Sequence, residues 1–216
     1  MDNTDFYIDG FKLTLENSLS LKKIADLSFA EGEYGIACSL NILAAEEAVK
    51  ANFILIKHYN PNTEINDFKE VFRKHTVKHD HLKGIAAVHE VQLKRFKTDL
   101  EVFDKFLGII DQIPDEIKQK TLADFSPWFK VKDLVKRFEE RKVTYDEIAL
   151  WADKANNDKN NGFYVDIRSG GWATPKSFIK EKYTLESKYT DAILDYVRDT
   201  EKVFSEVMKL VDKNLS

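Results

Sequence analysis

The sequence is poor in residues that break a chain or staple it. Four Pro and eight Gly in 216 residues are too few for the turns of a β-sandwich or barrel, so long helices are favoured. The single cysteine, Cys38, excludes an internal disulfide. Set in Ile36-Ala37-Cys38-Ser39-Leu40, it reads as a small buried hydrophobe. Neither sign of charge dominates: 33 basic residues against 37 acidic ones leave a formal −4. Contact with nucleic acid would therefore need a local patch. No apolar run approaches the ~18 residues of a membrane span, because Glu46, Glu47 and Lys50 interrupt the best candidate. The acidic start, Met1-Asp2-Asn3-Thr4-Asp5, lacks the basic-then-apolar profile of a secretory signal. These absences point to a reducing, cytoplasmic setting without a membrane partner.

What is present is core material, with 43% hydrophobic residues including 15 Phe, 8 Tyr and 3 Trp. Helical spacing of Leu15, Leu19, Ile24 and Leu27 predicts a helix over 14–30. Gly32 separates it from a second helix, about 33–59, closed by Asn60-Pro61. Thr63 reads as the N-cap of a region running to Ile113, with breaks expected at Gly84 and Gly108. Ser126-Pro127 and Thr174-Pro175 each look like an N-cap followed by Pro at the first helical position. Thr144-Tyr145-Asp146-Glu147 fits a capping box opening a helix to about Lys154. Asn156 to Gly162 then reads as polar loop, Phe163 to Ile167 as extended chain and Gly170-Gly171 as a turn. The expectation is one all-α domain over 1–216, with a single irregular excursion before a long final helix.

Three segments have the composition of a site. On the second helix Ile36, Leu40, Leu43, Ala44, Ala51, Ile54 and His58 form a stripe with Glu47 in its middle. A carboxylate facing a core needs a cation or hydrogen-bond donors, and Lys50 lies one turn from both Glu46 and Glu47. The bland alternative is a structural ion pair at the edge of the stripe. The second segment is Phe72 to Gly84. All five histidines (58, 75, 79, 81 and 89) fall within 32 residues, and His75 and His79 share the face of Phe68, Phe72, Leu82 and Ala86. Residues 69–97 hold eight Lys and Arg against three Asp and Glu. That local excess of +5 suits an RNA backbone, although such a run also serves as a solvated face. The third segment brings Lys159, Tyr164 and Asp166 to the irregular stretch, either as a pinned loop or as part of a site.

Together these blocks resemble the AbiV family of phage abortive-infection proteins, in the HEPN superfamily of all-α domains. The matching pieces are Gly35 to Ala51 with its Glu46-Glu47-x-x-Lys50-Ala51, then Phe72, His75 and Lys78, then Lys159 with Gly162-Phe163-Tyr164-Val165-Asp166, and Pro175. The resemblance implies a HEPN-like helical bundle acting as an antiphage effector. In many HEPN proteins an Arg followed four to six positions on by a His forms a metal-independent endoribonuclease motif. Arg73 and His79 satisfy that spacing, whereas the Phe-x-x-His-x-x-Lys pattern of AbiV-like proteins selects His75. In such a site the His is general acid or base, the Arg stabilises charge on the phosphate, and Glu46, Glu47, Lys50, Lys78, Lys159, Tyr164 and Asp166 form a supporting polar network. The superfamily further implies a homodimer; RNA and a phage-encoded activator protein are the other candidate partners, and no cofactor is expected. The alternative within the same resemblance is a non-catalytic helical module that blocks translation by binding a protein or ribonucleoprotein. A metal centre at His75, His79 and Glu47, with His79-Asp80 resembling the dipeptide of metal phosphohydrolases, lacks its further ligands at recognisable spacing, so no metal is expected.

Overall fold

The computed structural model describes residues 3–60, 68–110, 112, 114–124, 129, 132–133, 136, 140, 143–168 and 171–215. Helix α1 (Asn3–Ala30) and α2 (Tyr34–Tyr59) are followed by a 3-10 turn (Glu70–Phe72), α3 (His75–Ile110) and α4 (Asp115–Asp124). Then come α5 (Tyr145–Phe163), the short strands β1 (Asp166–Arg168) and β2 (Gly171–Ala173), a second 3-10 turn (Pro175–Ser177) and α6 (Lys180–Leu215). The all-α expectation is met. The strands form one antiparallel hairpin that pairs Asp166 with Ala173, Ile167 with Trp172 and Arg168 with Gly171.

The chain gathers into two compact units, one of residues 1–86 and 143–198, the other of 87–142 and 199–216. In the second, Leu100, Phe103 and Ile110 are buried, Phe129 meets the Phe103 ring edge-on, and Lys132 pairs with Asp104 at 2.7 Å.

The first unit is built around α2, which packs along α1 and against α5. Its run of Gly35, Ala37, Cys38, Ser39, Ala44, Ala45, Ala48 and Ala51 is buried, and side chains this small let neighbouring backbones come close. The chain enters α2 through a tight reversal. Gly32 takes φ +81° while its N–H bonds to the Phe29 carbonyl and the Glu33 N–H to that of Ser28. This is a Schellman end to α1, at a backbone angle that favours glycine. Cys38 is fully enclosed, and burial pushes its thiol up to about 12.

Helix α5 begins as the sequence predicts. The Glu147 N–H donates to Thr144 Oγ1 at 3.2 Å and the Thr144 N–H donates to Glu147 Oε2 at 2.8 Å. It does not end near Lys154, however: Asn156 to Gly162 are helical, and only Tyr164 and Val165 separate the helix from β1. Four Asn and one Gly look like a loop, but Ala155, Lys159 and Gly162 are buried on one face and packing against α2 overrides their weak propensity. Ser39 Oγ donates to the Lys159 carbonyl at 2.7 Å. A Cβ at Gly162 would sit 2.2 Å from both the Gly35 carbonyl oxygen and Ser39 Oγ.

Other boundaries differ too. Helix α1 starts at Asn3, well before residue 14, and α3 runs unbroken through Gly84 and Gly108. A helix-interior Gly costs only about 1 kcal/mol. Pro175 opens a 3-10 turn instead of the last helix, which starts at Lys180. Thr63, Ser126-Pro127 and Gly170 lie outside the described residues, as do the side chains of Ala86 and His89.

The contact at Gly162 carries a direct test. Gly162→Ala should lower stability by about 1–3 kcal/mol, the usual cost of overpacking a tight interface. Thermal unfolding would show it as a fall of several degrees in Tm, whereas Gly84→Ala, with nothing within 4 Å of the added carbon, should not fall.

Candidate functional site: a buried carboxylate with four donors

Glu46 is the centre of the site. Its side chain is 0% exposed, and α2 places Ile42 and Val49, both buried, one turn to either side of it. Helix α3 supplies three of its partners from one face, at positions i, i+3 and i+4. His75 Nδ1 lies 2.5 Å from Oε2, Lys78 Nζ 3.4 Å from the same oxygen, and His79 Nε2 2.9 Å from Oε1. Helix α5 supplies the fourth, Lys159 Nζ, 2.7 Å from Oε1.

Burial alone would push the Glu46 carboxyl up. The bonds from His79, Lys159 and His75 outweigh it and hold the group at about 2. Lys78 is drawn below the usual lysine range because burial and the neighbouring Lys50 outweigh the pull of Glu46. One carboxylate against two ammonium groups leaves the cluster net positive even with both imidazoles neutral. His79 is enclosed, and its Nδ1 faces the Ala152 carbonyl oxygen at 3.1 Å. Since a carbonyl and a carboxylate only accept, both bonds are donated at once only when the ring carries two protons. His75 differs: its side chain is 48% exposed, with Nδ1 turned to Glu46.

The structure thus brings Glu46, His75, Lys78, His79 and Lys159 together. The sequence reading placed Glu47 inside the core stripe, and here the structure differs. Glu47 pairs with Lys50, accepts from Asn17 Nδ2 at 3.2 Å, and flanks the cluster. Helix α2 is buried on most of its circumference, so a single apolar stripe did not identify its inward face. The legible signal was the apolar pair Ile42 and Val49 around Glu46, against the partner Lys50 of Glu47. Arg73 is exposed in the turn before α3, Tyr164 is exposed, and Asp166 accepts from the Ile167 N–H at 2.8 Å. None of these three bonds to Glu46. Among the described residues no His, Cys, Asp or Glu group has the grouping of a metal site, and no helix is long and apolar enough to cross a membrane.

A second, partly buried network lies on a neighbouring face of α5. Lys182 of α6 reaches Asp158 at 2.5 Å and Glu186 at 2.9 Å, and the Trp151 indole N–H donates to Glu186. Asp158 and Lys159 are consecutive, so one turn of α5 is tied to both networks. Sequence reasoning missed this arrangement, along with the roles of Ser39 and Gly162.

An all-α bundle carrying a carboxylate, two imidazoles and two ammonium groups against its central helix is the class that these observations define. The AbiV family pattern matches residues 6–194, and the chain belongs to the AbiV family, HEPN-type proteins of abortive infection. No curated protein and no solved structure matches it.

The cluster sets its own acid limit. The carboxyl sits at about 2 in the folded chain against an ordinary 4.5, so its contribution to stability is complete above pH 4.5 and is lost as pH falls towards 2. Its size is on the order of 3 kcal/mol. Glu46→Ala, which leaves buried cations without their counter-charge, should cost about 3–5 kcal/mol. Urea unfolding at pH 7 and at pH 3 should show a much smaller loss for the variant at the lower pH.

Proposed function

We propose that this protein is an antiphage effector that acts on RNA, and thereby on translation, through a metal-independent endoribonuclease site. The observation that supports this reading is the unequal exposure of the two histidines on one buried carboxylate. Glu46 takes the Nδ1 proton of His75 and so leaves Nε2 unprotonated in the neutral ring. With half of its side chain exposed, His75 is the group that can meet a substrate. His75 accepts the proton of a ribose 2′-hydroxyl, the oxygen attacks the adjacent phosphorus, and the 5′-oxygen leaves with a proton returned to it. The products are a 2′,3′-cyclic phosphate and a 5′-hydroxyl end.

His79, Lys78 and Lys159 hold Glu46, and through it the tautomer and direction of His75. Arg73, two residues before His75 and exposed, meets the phosphate, where a guanidinium stabilises developing charge. The positive end of α3 starts at His75 and adds to that field. Glu47 and Lys50 buttress the network, and Tyr164 and Asp166 serve at its margin. The working form is a cytoplasmic homodimer released by a phage-encoded activator, and no cofactor takes part.

A second reading is a helical module that blocks translation by binding a protein or ribonucleoprotein. It is favoured by the hairpin and the residues leading into it, where Tyr164, Ile167 and Trp172 are exposed at 64%, 69% and 71%.

The deciding experiment incubates purified protein with a mixed tRNA and mRNA pool in excess EDTA. The nuclease reading expects cleavage by wild type, a loss of about 10²-fold or more in His75→Ala, and a smaller loss in His79→Ala. Equal cleavage by both single variants and wild type would remove the site from the chemistry. Growth arrest in cells that survives loss of both histidines but not Trp172→Ala would establish the binding module.

A further inference from the structure

The segment before His75 holds a side chain that the cleavage chemistry leaves unused. In the 3-10 turn Glu70–Phe72, Val71 is 0% exposed and anchors the turn in the core, while Phe72 is turned outward at 43%. The turn is closed by the Arg73 and Lys74 N–H groups, both donating to the Glu70 carbonyl, and by Lys74 Nζ at 2.6 Å from the Glu70 carboxylate. Phe68 meets the Phe72 ring edge-on at 5.4 Å between centroids and props it from one side. Arg73, Lys74 and His75 follow, all exposed. An aromatic ring, two cations and the imidazole on Glu46 thus occupy four consecutive residues. Three residues of chain span at most about 10 Å.

We infer that Phe72 is a base-stacking side chain that makes the site selective for unpaired nucleotides. The inference rests on the RNA reading above and adds the form of RNA that the site takes. A base in a duplex is already stacked on both faces and cannot lie on a protein ring, whereas an unpaired base can. Because every base has a π-face, the selection is for single-strandedness more than for sequence. Lys74 is held directly by Glu70 while Arg73 meets that carboxylate only through its charge, so Arg73 is the cation that meets the phosphate next to the stacked base. This places that phosphate beside His75. The apolar character of the ring is matched to its occupant by the charge around it: the flanking basic residues favour a polyanion over an apolar protein segment.

The test uses a short fluorescein-labelled RNA with 2′-O-methyl riboses, which cannot form the cyclic phosphate, alone and annealed to its complement. Anisotropy should show wild type binding the single strand more tightly than the duplex. Phe72→Ala and Phe72→Leu should each weaken single-strand binding about tenfold and leave duplex binding unchanged. Phe72→Trp should retain binding and show a fluorescence quench, beyond that of the native tryptophans, with the single strand only. A Phe72→Leu protein that binds like wild type would reduce the contact to apolar area and overturn the inference. So would equal binding of single strand and duplex. Unlabelled native RNA separates the two readings. Cleavage lost in His75→Ala but intact in Phe72→Ala and Phe72→Leu overturns the stacking role alone. Phe72-dependent binding without cleavage overturns the nuclease and keeps the stacking. Neither binding nor cleavage by wild type overturns both.

Discussion

A carboxylate removed wholly from water must be given back its hydrogen bonds, and Glu46 receives four of them from two neighbouring helices. An unpaired ion there would cost several kcal/mol, so the site constrains the fold as much as the fold makes the site. The first two turns of α3 must lie over Glu46 for His75, Lys78 and His79 to reach it together. Helix α5 must present Lys159 from the other direction. Deleting any one donor leaves the rest poorly balanced, which is the usual behaviour of buried polar networks.

Small residues make that convergence possible. Helices α2 and α5 touch where Gly35, Ser39 and Gly162 leave no room for further side-chain atoms. The same contact brings the Lys159 backbone within reach of the Ser39 hydroxyl. The capping box at Thr144 sets the start of α5, and the pairing of Asp158 with Lys182 ties a neighbouring face to α6. Rotation of α5 is therefore opposed by ties at two consecutive residues, Asp158 and Lys159.

Within that frame the two histidines differ in exposure and partners. Both meet the same carboxylate, yet His79 is closed in between Glu46 and the Ala152 carbonyl while His75 opens to solvent. An imidazole with one nitrogen fixed by a carboxylate and the other facing outward is the arrangement that proton-transfer chemistry uses. Membership of the AbiV family places the protein among HEPN-type proteins of abortive infection.

Much of this was legible in the residues themselves. Scarce Gly and Pro announced helices, Thr144 and Glu147 announced the start of α5, and the four-residue spacing of His75 and His79 put them on one face, because all of these are decided by local backbone geometry. Other features depended on contacts far apart in the chain. Lys159 meets Glu46 across 113 residues, and the polar run Asn156 to Gly162 is helical only because its inner face is covered by α2. Whether Glu46 or Glu47 is the buried carboxylate, and which histidine faces water, turned on how α3 and α5 lie on a helix that is buried on most of its circumference. Periodicity says which residues share a face; only the packing of the neighbours decides what that face meets.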